Sequence, residues 1–212
     1  MKSTSKFRFQ RAHVKKQRGM VLFLALLAIV IMSLAAVALI RSVDTSTIIA
    51  GNLAFKRAAT SSGDAGGEVA ITWLTAKQVA NTAKNVLTDT SHSFNVTDAV
   101  NGYYSNVDPA LDLYADATWA VATGLPSVTD VSGNTVRYII QRMCRNANVA
   151  VQNADCLFSG AIVDTNGQNI PLPQDICDGP GCPAAGQTPQ IRITTRTIGP
   201  KNTISYLQAF VY

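Results

Sequence analysis

The pattern of hydrophobic positions predicts a long N-terminal helix followed by strands. Residues 20–40 are an apolar run without one ionisable side chain. As a helix this run would be about 31 Å long, enough to cross a hydrocarbon core of about 30 Å. Apolar residues then recur along one side of a helix as far as Leu74. We therefore expect a membrane helix that continues over residues 41–80, with a kink at Gly51 and close packing at Gly66 and Gly67.

Strand signals dominate the last third of the chain. Alternating or β-branched runs cover residues 135–143, 190–198 and 205–212, with a shorter run at 158–163. Residues 81–135 are rich in Asn, Thr, Ser, Asp and Gly, which predicts a long connection with a short helix around residues 114–122. The expected fold is α+β, with a roughly four-stranded antiparallel sheet packed on the C-terminal part of the helix.

Charge separates the first 19 residues from the rest. They carry seven Lys or Arg and no acid, whereas the whole chain has 18 bases and 13 acids. The remaining 11 bases and 13 acids give a slightly negative chain, so the basic charge is no argument for nucleic-acid binding. A basic flank stays in the cytoplasm. Residues 81–212 are then expected to form an extracytoplasmic globular domain, attached to the inner membrane by a single span.

Three hypotheses account for the leader and the apolar run. A secretory signal peptide would use Ala36-Val37-Ala38 as its cleavage site, but its apolar stretch is usually 7–15 residues. A plain single-pass anchor would not be cleaved. A class III leader is cut after a Gly on the cytoplasmic side, so that the helix stays on the mature chain. The basic leader ends in Gly19, directly before the uncharged run that starts at Met20, which fits the third hypothesis best.

The chain has four cysteines, all in the part expected outside the cytoplasm: Cys144, Cys156, Cys177 and Cys182. An oxidising compartment favours disulfides, and four cysteines allow three connectivities. We favour Cys144–Cys156 with Cys177–Cys182, because each pair closes a local loop rich in turn formers. Zinc is the rival interpretation, but paired C-x-x-C arms and a nearby His are missing from the sequence.

Catalytic chemistry finds little support in the sequence. The two histidines are His13, in the leader, and His92, in a polar segment that predicts a surface loop. Asp108, Asp112 and Asp116 would share a face if they were helical, which indicates a solvated face rather than a metal site. We expect no enzyme activity, no cofactor and no metal.

Two stretches after the apolar run carry a family resemblance. Ala50-Gly51-Asn52-Leu53-Ala54-Phe55 is followed by Ala65-Gly66-Gly67-Glu68-Val69-Ala70. With the leader and the membrane helix before them, these stretches resemble the N-terminal region of the PilX-type minor pilins of type IV pili. The resemblance covers about residues 15–75. The segment from Gly199 to Tyr206 resembles the last hairpin of that family more weakly.

The resemblance implies a pilin-like fold and a defined processing route. A prepilin peptidase would cut between Gly19 and Met20 and methylate the Met20 amine. The partners would be other minor pilins, the major pilin, the inner-membrane assembly platform and a large tip adhesin. The expected location is the inner membrane, with the N-terminus cytoplasmic, and after assembly the pilus tip at the cell surface. Pilus assembly, cell adhesion and twitching motility are the processes implied.

One position departs from the major pilins. Their fifth mature residue is Glu, which meets the amine of a neighbouring subunit, whereas this chain has Leu24 there. PilX-type pilins and K-type pseudopilins of type II secretion also lack this Glu. The resemblance therefore suggests that this chain lies at the fibre tip. A K-like pseudopilin is the nearest alternative. An exported or membrane-anchored binding domain is the alternative from another class.

Overall fold

The computed structural model describes residues 19–120 and 125–212. The chain forms two compact units, which we call the N-terminal unit (described residues 19–51) and the C-terminal unit (Asn52–Tyr212). One helix, α1 (Met20–Ala80), begins in the first unit and ends in the second. It continues through Gly51, Gly66 and Gly67, so these glycines do not end it.

The strands and the short helix of the C-terminal unit are β1 Tyr103–Tyr104, β2 Ser127–Thr129, β3 Thr135–Arg142, α2 Val151–Ala154, β4 Phe158–Ser159, β5 Thr188–Pro189, β6 Ile191–Gly199 and β7 Thr203–Val211. Five of the strands form a mixed sheet. Strand β7 pairs with β6 and β6 pairs with β3, both antiparallel, while β2 (antiparallel) and β1 (parallel) share the other edge of β3. Two further strands form a small separate sheet, and a short helix α2 lies between β3 and β4.

The expectation of a four-stranded antiparallel sheet is wrong in two respects. The run at residues 158–163 supplies only β4, which pairs with β5 in the small sheet. The main sheet instead gains β1 and β2 from the segment predicted as a connection, and β1 makes the sheet mixed because it is parallel to β3. The expected helix around residues 114–122 is a 3₁₀ turn over Asp116–Trp119, and residues 121–124 lie outside the described residues.

Small residues bring α1 close to the sheet. Its buried positions are Ala59, Ser62, Gly63, Gly66, Ala70 and Leu74. A Cβ at Gly66 would lie 2.4 Å from Val136 Cγ1, whereas one at Gly67 would meet nothing within 4 Å. Close packing therefore holds at Gly66 and not at Gly67. Further along, Ala70 and Leu74 pack with Tyr103, Tyr138, Ile140 and Ile193 in one core cluster.

A second core cluster lies on the opposite face of the sheet. Ile139 points away from its neighbours on β3 and packs with Trp119 and Leu125. The Trp119 indole Nε1 donates a hydrogen bond to the Leu113 carbonyl at 2.8 Å. The long polar segment after α1 is therefore a folded layer over the sheet. Sequence composition alone indicates only a connection there.

Candidate functional site

The predicted processing junction lies at the start of α1. Met20 is the first helical residue, and the Gly19 carbonyl accepts the first backbone hydrogen bond of the helix, from Phe23 N at 3.4 Å. Gly19 has a φ of +96°, in the region that favours glycine. Both junction residues are exposed. Residues 1–18 of the basic leader lie outside the described residues.

The apolar half of α1 has no packing partner among the described residues. Every residue from 19 to 50 is exposed. Large apolar side chains from Met20 to Ile49 surround the helix, and their exposed fractions run from 48% at Leu27 to 74% at Met32. The helix is long and apolar enough to cross a membrane. An α-helix that is apolar on all sides requires a membrane or other helices around it.

The hydroxyl groups of the N-terminal unit are compatible with such surroundings. Four of them donate hydrogen bonds of 2.9 Å to backbone carbonyls three or four residues earlier: Ser33, Thr45, Ser46 and Thr47. A polar group that is satisfied within its own helix does not need water. These side chains therefore do not prevent the segment from being embedded.

Leu24 lies in the second turn of this segment with 58% of its surface exposed. The first turn of α1 has no acid, and the first carboxylate along the helix belongs to Asp44. The start of the helix, from Met20 to Val43, therefore carries no carboxylate. A leucine at this position also avoids the cost of an ionisable group in lipid.

The two stretches that carry the family resemblance both lie in α1. In the second one, Gly66 and Ala70 are buried against the sheet while Glu68 is exposed. The C-terminal segment with the weaker resemblance, Gly199 to Tyr206, includes the tight connection from β6 to β7. There Pro200–Asn202 is one 3₁₀ turn, and Asn202 has a φ of +59°. A Cβ at Gly199 would lie 2.7 Å from Asn134 Oδ1, so a larger residue would not fit there.

The cysteines form the bridges Cys144–Cys156 and Cys177–Cys182. The first bridge closes the loop that contains α2. The second loop lies against α2: a Cβ at Gly181 would lie 1.6 Å from the Gln152 carbonyl oxygen. Asn85 Nδ2 also donates a hydrogen bond to the Ile176 carbonyl at 2.9 Å. Both disulfides therefore hold loops at the same end of the C-terminal unit.

A buried arginine joins three segments at this end. Arg142 is 1% exposed, and its Nε and Nη2 donate to the carbonyls of Ser105 and Val149 at 2.9 and 3.0 Å. Its Nη1 donates to Asn95 Oδ1. Among the described residues Arg142 has no carboxylate partner within salt-bridge distance. Neutral oxygens therefore hold this cation in place, and a hydrophobic pattern gives no signal of it.

His92 is buried, so the prediction of a surface histidine is wrong. It is 1% exposed, and its Nδ1 accepts a hydrogen bond from Phe94 N at 3.1 Å. Burial lowers the pKa of the imidazole, and the positive charges of Lys84 and Arg142 add to this, against the opposing effect of Asp89. His92 is thus a neutral cap of a short turn.

The three aspartates considered for a metal do not share a helical face. Asp108 and Asp112 each accept a backbone hydrogen bond two residues ahead, from Ala110 at 2.9 Å and Tyr114 at 2.8 Å. Asp116 instead forms an ion pair with Arg196. Within residues 19–120 and 125–212, no group of three His, Cys, Asp or Glu is placed to hold a metal ion.

Compared with known proteins, the chain matches no family model, no curated protein and no solved structure. What the fold defines is an α+β protein with one apolar N-terminal helix that could span a membrane, a mixed sheet and two disulfides.

Proposed function

We propose that this chain is a minor pilin of type IV pili, made as a prepilin. The observation that carries the proposal is an order of features in the sequence. A basic leader ends in Gly19, an uncharged helix starts at Met20, and the Ala50 to Phe55 stretch follows on the same helix. A plain anchor requires only the apolar length, so this order favours a pilin.

The proposed route uses the exposed apolar segment twice. Prepilin peptidase cuts between Gly19 and Met20 and methylates the new amine. The helix first lies in the inner membrane and then among the helices of other pilins in the fibre core. Its large side chains stay out of water in both places, so the transfer costs little hydrophobic free energy.

Leu24 supports a place at the fibre tip. A subunit without a carboxylate there has no partner for the amine of the subunit above it, and the tip is the one place without such a subunit. In this proposal the chain primes assembly with other minor pilins, rests on the major pilin and holds a large adhesin. Its actions are mechanical, and it needs no catalytic group.

The proposal is tested by the intact mass and N-terminal sequence of the chain from membranes and from sheared fibres. A chain that begins at methylated Met20, in both fractions, supports it. A chain that begins at Leu39, or keeps Met1 in cells with an active peptidase, contradicts it and leaves an exported or anchored domain. Methylated Met20 in cells that secrete through a type II system but assemble no pili would favour the K-like pseudopilin.

The tip position has its own test. Leu24→Glu restores the missing carboxylate, and Leu24→Gln is a control of the same shape without the charge. We expect the Glu variant to spread along the fibre shaft in immunogold images, while the Gln variant stays at the ends. Identical distributions of the native chain, the Glu variant and the Gln variant along the fibre would contradict the tip assignment.

A further inference from the structure

Strand β7 forms one edge of the main sheet. It pairs with β6 over nine consecutive positions, from Gly199 with Thr203 to Ile191 with Val211. Among the described residues, no strand pairs with its other side. Half of its backbone N–H and C=O groups therefore point away from the sheet, at strand spacing. The opposite edge consists of β1 and β2, which have only two and three residues.

Three features that normally prevent strand addition are absent from the β7 edge. Its sequence, Thr-Ile-Ser-Tyr-Leu-Gln-Ala-Phe-Val, contains no proline and no charged residue. The pairing with β6 is continuous, without a bulge. Natural proteins often protect a long edge with charges, proline or bulges. A nine-residue edge that lacks these features is suited to receive another strand.

An apolar groove lies next to the C-terminal end of this edge. It has a volume of about 480 Å³ and is lined on α1 by Ile71 and Leu74 and on the sheet by Ile191 and Val211. On the other face of β7, Phe210 is 52% exposed. A strand added beside β7 would alternate in the same way as β7. The side chain opposite Val211 would lie on the same face of the sheet as this groove, and the next would lie beside Phe210.

We propose that β7 is the acceptor edge for an extended segment of a partner protein, with a large apolar side chain seated in the groove between Ile71, Leu74 and Val211. The free backbone groups specify the kind of occupant, because only an extended polypeptide matches their spacing. A lipid chain or a helix would leave them unpaired. The inference goes beyond the pilin proposal and does not depend on it.

A second copy of this chain fits the edge less well than a different protein does. If two β7 strands paired antiparallel over their full length, Leu207 would face its own copy and Thr203 would lie opposite Val211. A small polar side chain would then face the apolar groove. A shift that brings a leucine opposite Val211 reduces the overlap to about five residues. A partner with its own apolar residue at that point avoids both problems.

The test uses the full chain in detergent micelles and a synthetic nine-residue peptide of alternating Val and Thr with one Leu opposite Val211. Hydrogen exchange is followed by mass spectrometry over residues 203–212. The control peptide has the same side chains but carries N-methyl groups on the amides that would pair with β7. We expect the first peptide to slow exchange of β7 and the methylated peptide to have no effect.

Two variants test whether the peptide binds in the groove. Ile71→Ser makes its wall polar, and Val79→Ser changes a residue of α1 that is 67% exposed and does not line this groove. We expect Ile71→Ser to raise the Kd of the peptide about tenfold, as the loss of one apolar contact would. Val79→Ser should leave the Kd unchanged. Equal protection by both peptides, no protection by either, or protection that rises with protein concentration without peptide would overturn the proposal.

Discussion

The two parts of α1 share one secondary structure but have different reasons to be apolar. In the N-terminal unit, large side chains surround the helix, and every residue from 19 to 50 is exposed. In the C-terminal unit, the buried positions are mostly small, and the helix packs closely on the sheet through Gly63 and Gly66. The first part has no packing partner within residues 19–120 and 125–212, whereas the second is packed within the fold.

A charge in the middle of the apolar segment should have the largest effect. Val30→Arg places a guanidinium near the centre of the proposed membrane span, at a cost of about 2.5–3.5 kcal/mol for insertion. We expect a smaller fraction of this variant than of Val30→Leu to stay in the membrane fraction in carbonate extraction. Disulfide formation in any exported chain should be unchanged. Full membrane retention of the Arg variant would contradict the span.

The Cys144–Cys156 bridge should be the main covalent support of the C-terminal unit. Replacing both cysteines by serine removes a loop constraint of about 3 kcal/mol, against about 2 kcal/mol for the shorter Cys177–Cys182 loop. Thermal unfolding of the full chain in detergent should show the larger loss for the first pair. Membrane extraction should not change for either variant. An equal or reversed order would show that loop length does not decide their contributions.

Two adjacent glycines of α1 differ in packing: Gly66 is packed closely against the sheet, and Gly67 faces open space. Gly66→Ala should destabilise the C-terminal unit by about 1–2 kcal/mol, because overpacking against Val136 outweighs the gain in helix propensity. Gly67→Ala should stabilise it by about 0.5–1 kcal/mol, since its Cβ would point into open space. Denaturant unfolding of the two variants measures the difference. The same sign for both would contradict the close contact of α1 with the sheet.

The smallest expected effect is a pH dependence from His92. Its pKa is lowered in the folded chain, so the unfolded chain binds the proton more readily and stability rises with pH through the histidine range. Stability should therefore fall as pH drops below about 6.5, the ordinary histidine pKa. His92→Asn keeps an acceptor for Phe94 N without titrating there. Melting temperatures from pH 7.5 to 5.5 should fall more for the native chain than for this variant.

Sequence patterns predicted the three longest strands. Strands β3, β6 and β7 lie within one or two residues of the expected runs, because each run of eight or nine residues combines β-branched residues with at least partial alternation. The two bridges also join the pairs that the local-loop argument favoured. In both cases neighbours in sequence carry the information.

Contacts between distant segments were not predictable in this way. Strands β1 and β2 are too short to show a period, and β1 pairs with Ile140 and Gln141, far along the chain. Arg142 is a polar residue whose burial depends on the hydrogen bonds that it donates to other segments. His92 is also buried, although its hydrogen bond from Phe94 N is local. The β7 edge is visible only once strand order is known. The hypothesis of cleavage between Gly19 and Met20 comes from the sequence. The structure adds only that α1 starts at Met20.

The most direct test of the central claim is to replace residues 25–40 with an unrelated apolar helix of the same length, keeping Gly19, Met20 and Leu24. The measured quantity is the amount of the chain in sheared fibres relative to membranes. We predict normal cleavage and membrane retention but loss from fibres, because a fibre core requires specific packing and a membrane does not. Undiminished incorporation into fibres, or absence of the native chain from them, would contradict the account.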